Sequence, residues 1–344
     1  MTTNSTVGPA RPSLLARWLW IVAAMIAGIV VIGGITRLTE SGVSITEWKP
    51  VGGIIPPLTQ AQWQAEFAAY RQTAQFIQIN GPAGMTLATY KAIFFWEWLH
   101  RLLARSVGMV FALPLVWFWL KRQIPHGYKA RLLVLLALGG LQGVIGWWMV
   151  VSGISNDVKV SHLRLATHLL VALTTFAAII WTALDLRGCA RGVAKARLTA
   201  LGTLAIGVLF VQLGLGALVA GLRAGHVAND WPLMMGKLFP AGVDWSQGMF
   251  HALLHDPFLL HFIHRWWAWI LVAVLIVLAR AVRLASRRAS VVIHTAFGIQ
   301  ILLGIATVIS GVAIWVAVLH QLVGAILLGA CVWGAHVLGR TREV

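Results

Sequence analysis

Eight apolar stretches, each long enough to cross a bilayer, leave this 344-residue chain little choice of fold. They run roughly over residues 14–35, 94–120, 131–151, 163–184, 198–221, 258–279, 291–310 and 313–338. A segment in hydrocarbon must satisfy its own backbone polar groups, and a helix does so within itself. The composition agrees, with 59% of residues hydrophobic and 11% charged. The 18 tryptophans suit interfacial belts, or the walls of pockets for a flat aromatic ligand. The first stretch is too long for the apolar core of a signal peptide and lacks a small-residue cleavage pattern, so it reads as a helix that stays.

The net charge of +17 invites a nucleic-acid partner, but its distribution excludes one. The basic residues fall in short clusters between spans: Arg11 and Arg17; Lys121, Arg122, Lys129 and Arg131; Arg187, Arg191, Lys195 and Arg197; Arg280, Arg283, Arg287 and Arg288; Arg340 and Arg342. All lie on one side, which the positive-inside rule makes cytoplasmic, together with both termini. The two long connections, roughly 36–93 and 222–257, face the other compartment. In the first, Thr59-x-x-Gln62 precedes Trp63, Phe67, Tyr70 and Ala74, which predicts a capped amphipathic helix lying on the outer surface. The two cysteines, Cys189 and Cys331, form no disulfide framework or zinc motif.

The chain repeats itself. Ser41-Gly42-Val43 followed by Glu47-Trp48-x-Pro50 matches Ala224-Gly225-His226 followed by Asp230-Trp231-Pro232. His100-Arg101 matches His264-Arg265, and Gln142, Gly146 and Ser152-Gly153 match Gln300, Gly304 and Ser310-Gly311. Each half, residues 1–190 and 191–344, thus holds four spans. An even number of spans returns the chain to the same side. The expected fold is therefore an all-α integral membrane protein, with eight transmembrane helices in two parallel four-helix bundles related by a pseudo-two-fold axis along the membrane normal.

Four histidines occupy matching places: His100, His168, His264 and His320. They stand near the starts of the second, fourth, sixth and eighth spans, all in the outer half of the bilayer. A lone membrane histidine reads as a hydrogen-bonded core residue. Four at repeat-related positions read as axial ligands of two haems, with His100 opposite His168 and His264 opposite His320. Glu97 stands three residues before His100 and shares its helix face, whereas the second half has His261 there. That asymmetry points to one haem being reacted upon and the other held; the alternative is an ion pair of Glu97 with Arg101. Arg101 and Arg265 follow ligand histidines, so they either bind haem propionates or snorkel to the interface. Arg105, one turn deeper, needs a partner. Of the other histidines, only His162 and His261 can approach a haem edge, the alternative being interfacial polar residues.

Long motifs now identify a resemblance. Gly33-Gly34-Ile35-Thr36-Arg37-Leu38-Thr39-Glu40-Ser41-Gly42, with Trp48-Lys49-Pro50 and Gly52-Gly53-Ile54-Ile55-Pro56-Pro57, resembles the haem A synthase family of bacteria and mitochondria. So do Trp96-Glu97-Trp98-Leu99-His100-Arg101, Ala166-Thr167-His168, Asn229-Asp230-Trp231-Pro232-Leu233-Met234 and Leu319-His320-Gln321, so that the similarity runs from about residue 17 to 338. The resemblance implies oxidation of a ring methyl of haem O to a formyl group, giving haem A for terminal oxidases. It implies two successive hydroxylations and loss of water from the geminal diol. It places His100 and His168 around the substrate haem O, His264 and His320 on a permanent haem b, and Glu97 as a residue needed for activity. It also implies a bacterial inner membrane. Haem O synthase, a quinol or other electron donor, and a second copy of the chain are the candidate partners, besides membrane lipid. Some family members carry a cysteine pair in the outer loops, and this sequence has none there.

Two rival readings remain at this stage. A dihaem electron-transfer protein of the cytochrome b561 sort needs haems at two depths, whereas these ligands share one. A transporter with parallel repeats needs helices broken at matching places near the midplane, and Pro114 has no counterpart.

Overall fold

A computed structural model describes residues 10–47, 52–155 and 158–340 of the chain. Trp48, Lys49 and Pro50 of the first-loop motif, and the terminal Arg342, lie outside the described residues. In chain order the α-helices are α1 (Pro12–Leu38), α2 (Gln60–Tyr70), α3 (Leu87–Leu120), α4 (Lys129–Ser155), α5 (His162–Cys189), α6 (Ala200–Leu222), α7 (Met249–His255), α8 (Pro257–Arg283), α9 (Arg287–Ile309) and α10 (Ile314–Arg340). All but α2 and α7 are long and apolar enough to span, making eight. The protein is an all-α, multi-pass membrane protein, and no strand occurs among the described residues.

Capping sets where the helices begin, and it moves one of them. The expected start of α3 at residue 94 is corrected to Leu87, because Thr86 and Thr89 form a capping box there. The added turns are held by α2. Trp63 packs edge-on against Phe94 with ring centroids 5.0 Å apart, and Tyr70 stacks on Tyr90 at 5.1 Å. The capping box expected of Thr59 and Gln62 is present. Helix α2 ends at Tyr70, whose carbonyl accepts from the Thr73 hydroxyl at 2.8 Å, so Ala74 lies beyond it, contrary to its helical spacing. The apolar face of α2 is covered by α3. Helix α7, unforeseen from sequence, leads into α8 through Asp256, whose carboxylate accepts from the Leu259 N–H at 2.7 Å.

The spanning helices pack in an order that follows the repeat. In the first half α1 contacts α3 and α5, and α4 contacts α3 and α5. In the second half α6 contacts α8 and α10, and α9 contacts α8 and α10. Between halves α5 meets α6, α10 meets α1, and α5 meets α10. Exchanging α1 with α6, α3 with α8, α4 with α9 and α5 with α10 maps each of these pairs onto another, a pattern compatible with a two-fold relation. The loop ends agree. Matching Ser41 with Ala224 sets an offset of 183 residues (224 − 41). At that offset Arg37 corresponds to Ala220 and Glu40 to Arg223. Arg37 donates to the Ala220 carbonyl, and Arg223 forms an ion pair with Glu40. Residues related by a two-fold axis touch one another only beside that axis.

The opposite ends, where the basic residues gather, are tied through Asp185. Its fully buried carboxylate accepts from Arg131 at 2.6 Å and from the Ala196 N–H at 3.1 Å, and lies 3.0 Å from His336 Nε2. The contact joins α4, α5 and α10. Removing one partner strands the others in a low-dielectric place. Asp185→Ala is expected to destabilise the protein by about 3 kcal/mol, the low end for a broken buried pair because Arg131 reaches solvent. A lowered unfolding midpoint in detergent checks this; an unchanged midpoint contradicts the tie.

Candidate functional site

Each of the four histidines rests against a glycine on the membrane helix preceding its own. A Cβ built on Gly33 would stand 3.1 Å from His100 Cε1, and one on Gly146 3.1 Å from His168 Cε1. The distances are 3.0 Å for Gly216 and His264 and 3.1 Å for Gly304 and His320. Only a residue without a side chain lets the imidazole lie this close to the neighbouring backbone. The same module, a glycine helix followed by a histidine helix, therefore occurs four times: α1 with α3, α4 with α5, α6 with α8, and α9 with α10.

In three modules a glutamine stands four residues before the glycine, one turn away on the same helix face. Gln142 Nε2 donates to the His168 carbonyl at 2.9 Å and lies 2.9 Å from His168 Nδ1. Gln212 Nε2 donates to the His264 carbonyl at 3.0 Å and lies 3.2 Å from His264 Nδ1. Gln300 Nε2 lies 3.5 Å from His320 Nε2. The Oε1 atoms of Gln142, Gln212 and Gln300 are buried without a partner, as are Nδ1 of His100 and of His320. An imidazole that binds metal through Nε2 carries its proton on Nδ1 and needs an acceptor there. In each amide it is Nε2 that lies at the ring, and a metal-bound imidazole would need the amide turned so that Oε1 faces Nδ1–H. The matched pairs Gln142/Gly146 and Gln300/Gly304 were legible as repeat markers; the roles of Gln212, Gly33 and Gly216 were missed, although their four-residue and 183-residue spacings carried the signal.

One expected pair, His264 and His320, is brought together. The rings of His264 and His320 are 6.5 Å apart at their centroids and inclined at 88°. Two metal–imidazole bonds of about 2 Å, plus about 1 Å from each ring nitrogen to its centroid, give a separation of about 6 Å. The pair thus fits two axial ligands on opposite sides of one iron. His168, His264 and His320 stand six or seven residues inside their helices, so their depths are similar. The residues present at His264 and His320 fit one bis-histidine haem site.

Glu97 and the two arginines close the site from the loop side. Buried Glu97 accepts from Ser44 Oγ at 2.7 Å, the Ile45 N–H at 2.8 Å and Arg101 at 2.6 Å. Arg101 also donates to the carbonyls of Ile45 at 2.9 Å and Glu47 at 3.1 Å. Arg265 donates to the carbonyls of Ala228 at 3.2 Å and Asp230 at 2.9 Å, which are the same two positions at the offset of 183. Where Glu97 meets Arg101, His261 Nε2 accepts from Arg265 Nε at 3.0 Å. Both arginines therefore anchor the loop that follows the first helix of their half, and the ion pair weighed for Glu97 is present. Arg105 finds its partner in the Gly53 carbonyl at 3.3 Å.

The remaining histidines have other partners. His162 Nε2 donates to the Leu254 carbonyl at 3.0 Å, and its ring meets His255 edge-on, which is stacked on His251. His294 Nδ1 donates to the Ser290 carbonyl, and His336 belongs to the Asp185 cluster.

Residues 16–332 match the COX15-CtaA family, described as cytochrome oxidase assembly protein. The haem A synthase of Novosphingobium aromaticivorans is 66% identical over 335 residues, covering 95% of this chain and 96% of that protein. Those of Erythrobacter litoralis and Sphingopyxis alaskensis are 55% and 52% identical, covering 96% and 100% of this chain and 98% and 99% of theirs.

The glycine cradle makes a direct prediction. In Gly216→Ala the new methyl meets His264 Cε1 more closely than ordinary van der Waals packing allows, so the ring must move by a few tenths of an ångström. The variant is expected to insert and fold but to retain several-fold less haem, read as haem absorbance relative to protein. Unchanged haem content contradicts the cradle.

Proposed function

Because the chain belongs to the haem A synthase family of cytochrome oxidase assembly proteins, we propose that it oxidises a ring methyl of haem O to the formyl group of haem A. Residues 1–190 form the substrate half and residues 191–344 the cofactor half. His264 and His320 hold a haem b, and His100 and His168 flank haem O. The observation that carries this reading is the recurrent cradle: four imidazoles set on four glycines, one pair at the separation that two axial ligands require.

The haem irons supply the electron transfer and oxygen chemistry of two successive hydroxylations. The chain's own residues bind, orient and exclude water. The glycines let each imidazole lie against the neighbouring helix, where it would ligate a haem, and the glutamines of three modules contact the ring. The loop over the first half, pinned by Arg101 and by Glu97, seals the substrate side from water with the Tyr70, Tyr90 and Phe94 cluster behind it. Glu97 is the carboxylate nearest in sequence to His100. It orders Ser44 and Ile45 and places a carboxyl group beside His100, where proton exchange serves the reaction. Both termini and the basic clusters face the cytoplasm of a bacterium, and the sealed loops face the other side. Haem O is delivered by a haem O-forming enzyme, and electrons come from a quinol or another donor. The level placement of the ligands disfavours an electron-transfer protein of the cytochrome b561 sort.

Two sets of variants test this. His264→Ala and His320→Ala are expected to lose the stably bound haem b. His100→Ala and His168→Ala keep it and make no haem A. Optical spectra of the purified variants decide, and loss of haem b in the first-half pair alone reverses the two halves. Glu97→Gln removes the charge while keeping the size. It is expected to retain haem b while haem A formation falls about 100-fold. Near-normal haem A from this variant returns Glu97 to a purely structural ion pair.

A further inference from the structure

The glutamine that precedes the cradle glycine in three histidine modules is missing from the fourth. Counting four residues back from the cradle glycine gives Gln142, Gln212 and Gln300, but in α1 it gives Ile29. The isoleucine has no acceptor to offer. His100 Nδ1 is correspondingly buried with no hydrogen-bond partner. His320 Nδ1 also lacks one, but there the Gln300 amide lies against the ring, 3.5 Å from Nε2. Ile29 sets no amide against the His100 ring.

An acceptor on Nδ1–H does two things for a metal-bound imidazole. It fixes the ring's rotation, and it raises the basicity of Nε2. Removing such a partner costs about 10- to 100-fold in metal affinity. The second departure from the repeat falls on the same histidine: Glu97 stands beside His100 where the other half carries His261. Both breaks in symmetry thus single out one ligand.

We propose that Ile29 makes His100 the weakly held axial ligand, so that the first-half haem iron opens on the His100 face while the other three ligands stay bound. This rests on the haem reading above, and it assigns Ile29 as a positioning residue of the substrate site. One weak ligand among four serves a site that must release its haem after each turnover and admit an exogenous ligand at the iron.

The test is carbon monoxide binding to the reduced, haem-loaded protein, read optically, with haem transfer to apomyoglobin as a second readout. Carbon monoxide enters only where an axial histidine lets go. In the unmodified protein the first-half haem is expected to bind it and the second-half haem to resist. Ile29→Gln is expected to cut carbon monoxide binding at the first-half haem and slow that haem's transfer, each by about tenfold. Gln212→Ile is the reciprocal variant and is expected to make the second-half haem about tenfold more reactive. Should a glutamine at position 29 prevent folding, Gln212→Ile still decides, and unchanged resistance in it overturns the proposal. A first half that takes up haem but reacts equally with and without Ile29→Gln overturns the ligand assignment alone. A first half that takes up no haem overturns both this and the reading beneath it.

Discussion

An imidazole placed within a membrane must be held from several sides, because neither lipid nor water supplies its hydrogen bonds there. The contact of each histidine with a glycine backbone answers that constraint, and the rest of the structure follows from it. The glycine forces the two helices of a module into close approach. Close approach brings a residue one turn away to the ring's edge. Four modules, joined in sequence and folded back on one another, bring the His264 and His320 rings to 6.5 Å between centroids. The bundle is thus a device for aiming imidazoles.

The second constraint acts on the loops. A long connection that crosses the ends of the spanning helices must be fixed without a domain of its own. Arg101 and Arg265 do this in the same way, each donating to two carbonyls at repeat-related positions. A guanidinium has five donors in a rigid fork, so one side chain can hold a strand of backbone at several points. The arginines are therefore parts of the lid, whatever further contact a propionate makes. Gln321, beside His320, reaches α1 and donates to the Val30 carbonyl at 3.1 Å, close to Gly33 and Gly34. The two sites are thereby packed through one helix.

Much of this was legible in the residues. Spans, repeat and histidine pairs follow from apolar length, matched motifs and the cost of an intramembrane histidine, and the helix borders erred where caps or tertiary contacts extended them. Thr86 caps α3 a full two turns early because α2 covers the added length, and nothing in the apolar stretch itself announces that. The Thr59 capping box was legible because its two partners are three residues apart. The end at Tyr70 was not, since Thr73 stops the helix with a side chain that periodicity ignores. The glutamines were legible only as repeat markers. Their role required knowing which ring lies across from them, a contact between helices that hydropathy does not carry. For Glu97, the sequence left open a carboxylate at the reacting edge and an ion pair with Arg101. The pair exists, and it does not remove the charge from the first half.

The account stands on two haems held by two histidine pairs in one chain. Extracting the haems from protein purified with its membrane, and identifying them by mass, tests this most directly. Haem b accompanied by a comparable amount of haem O or haem A is the predicted result. Haem b alone, or no haem at all, would contradict it.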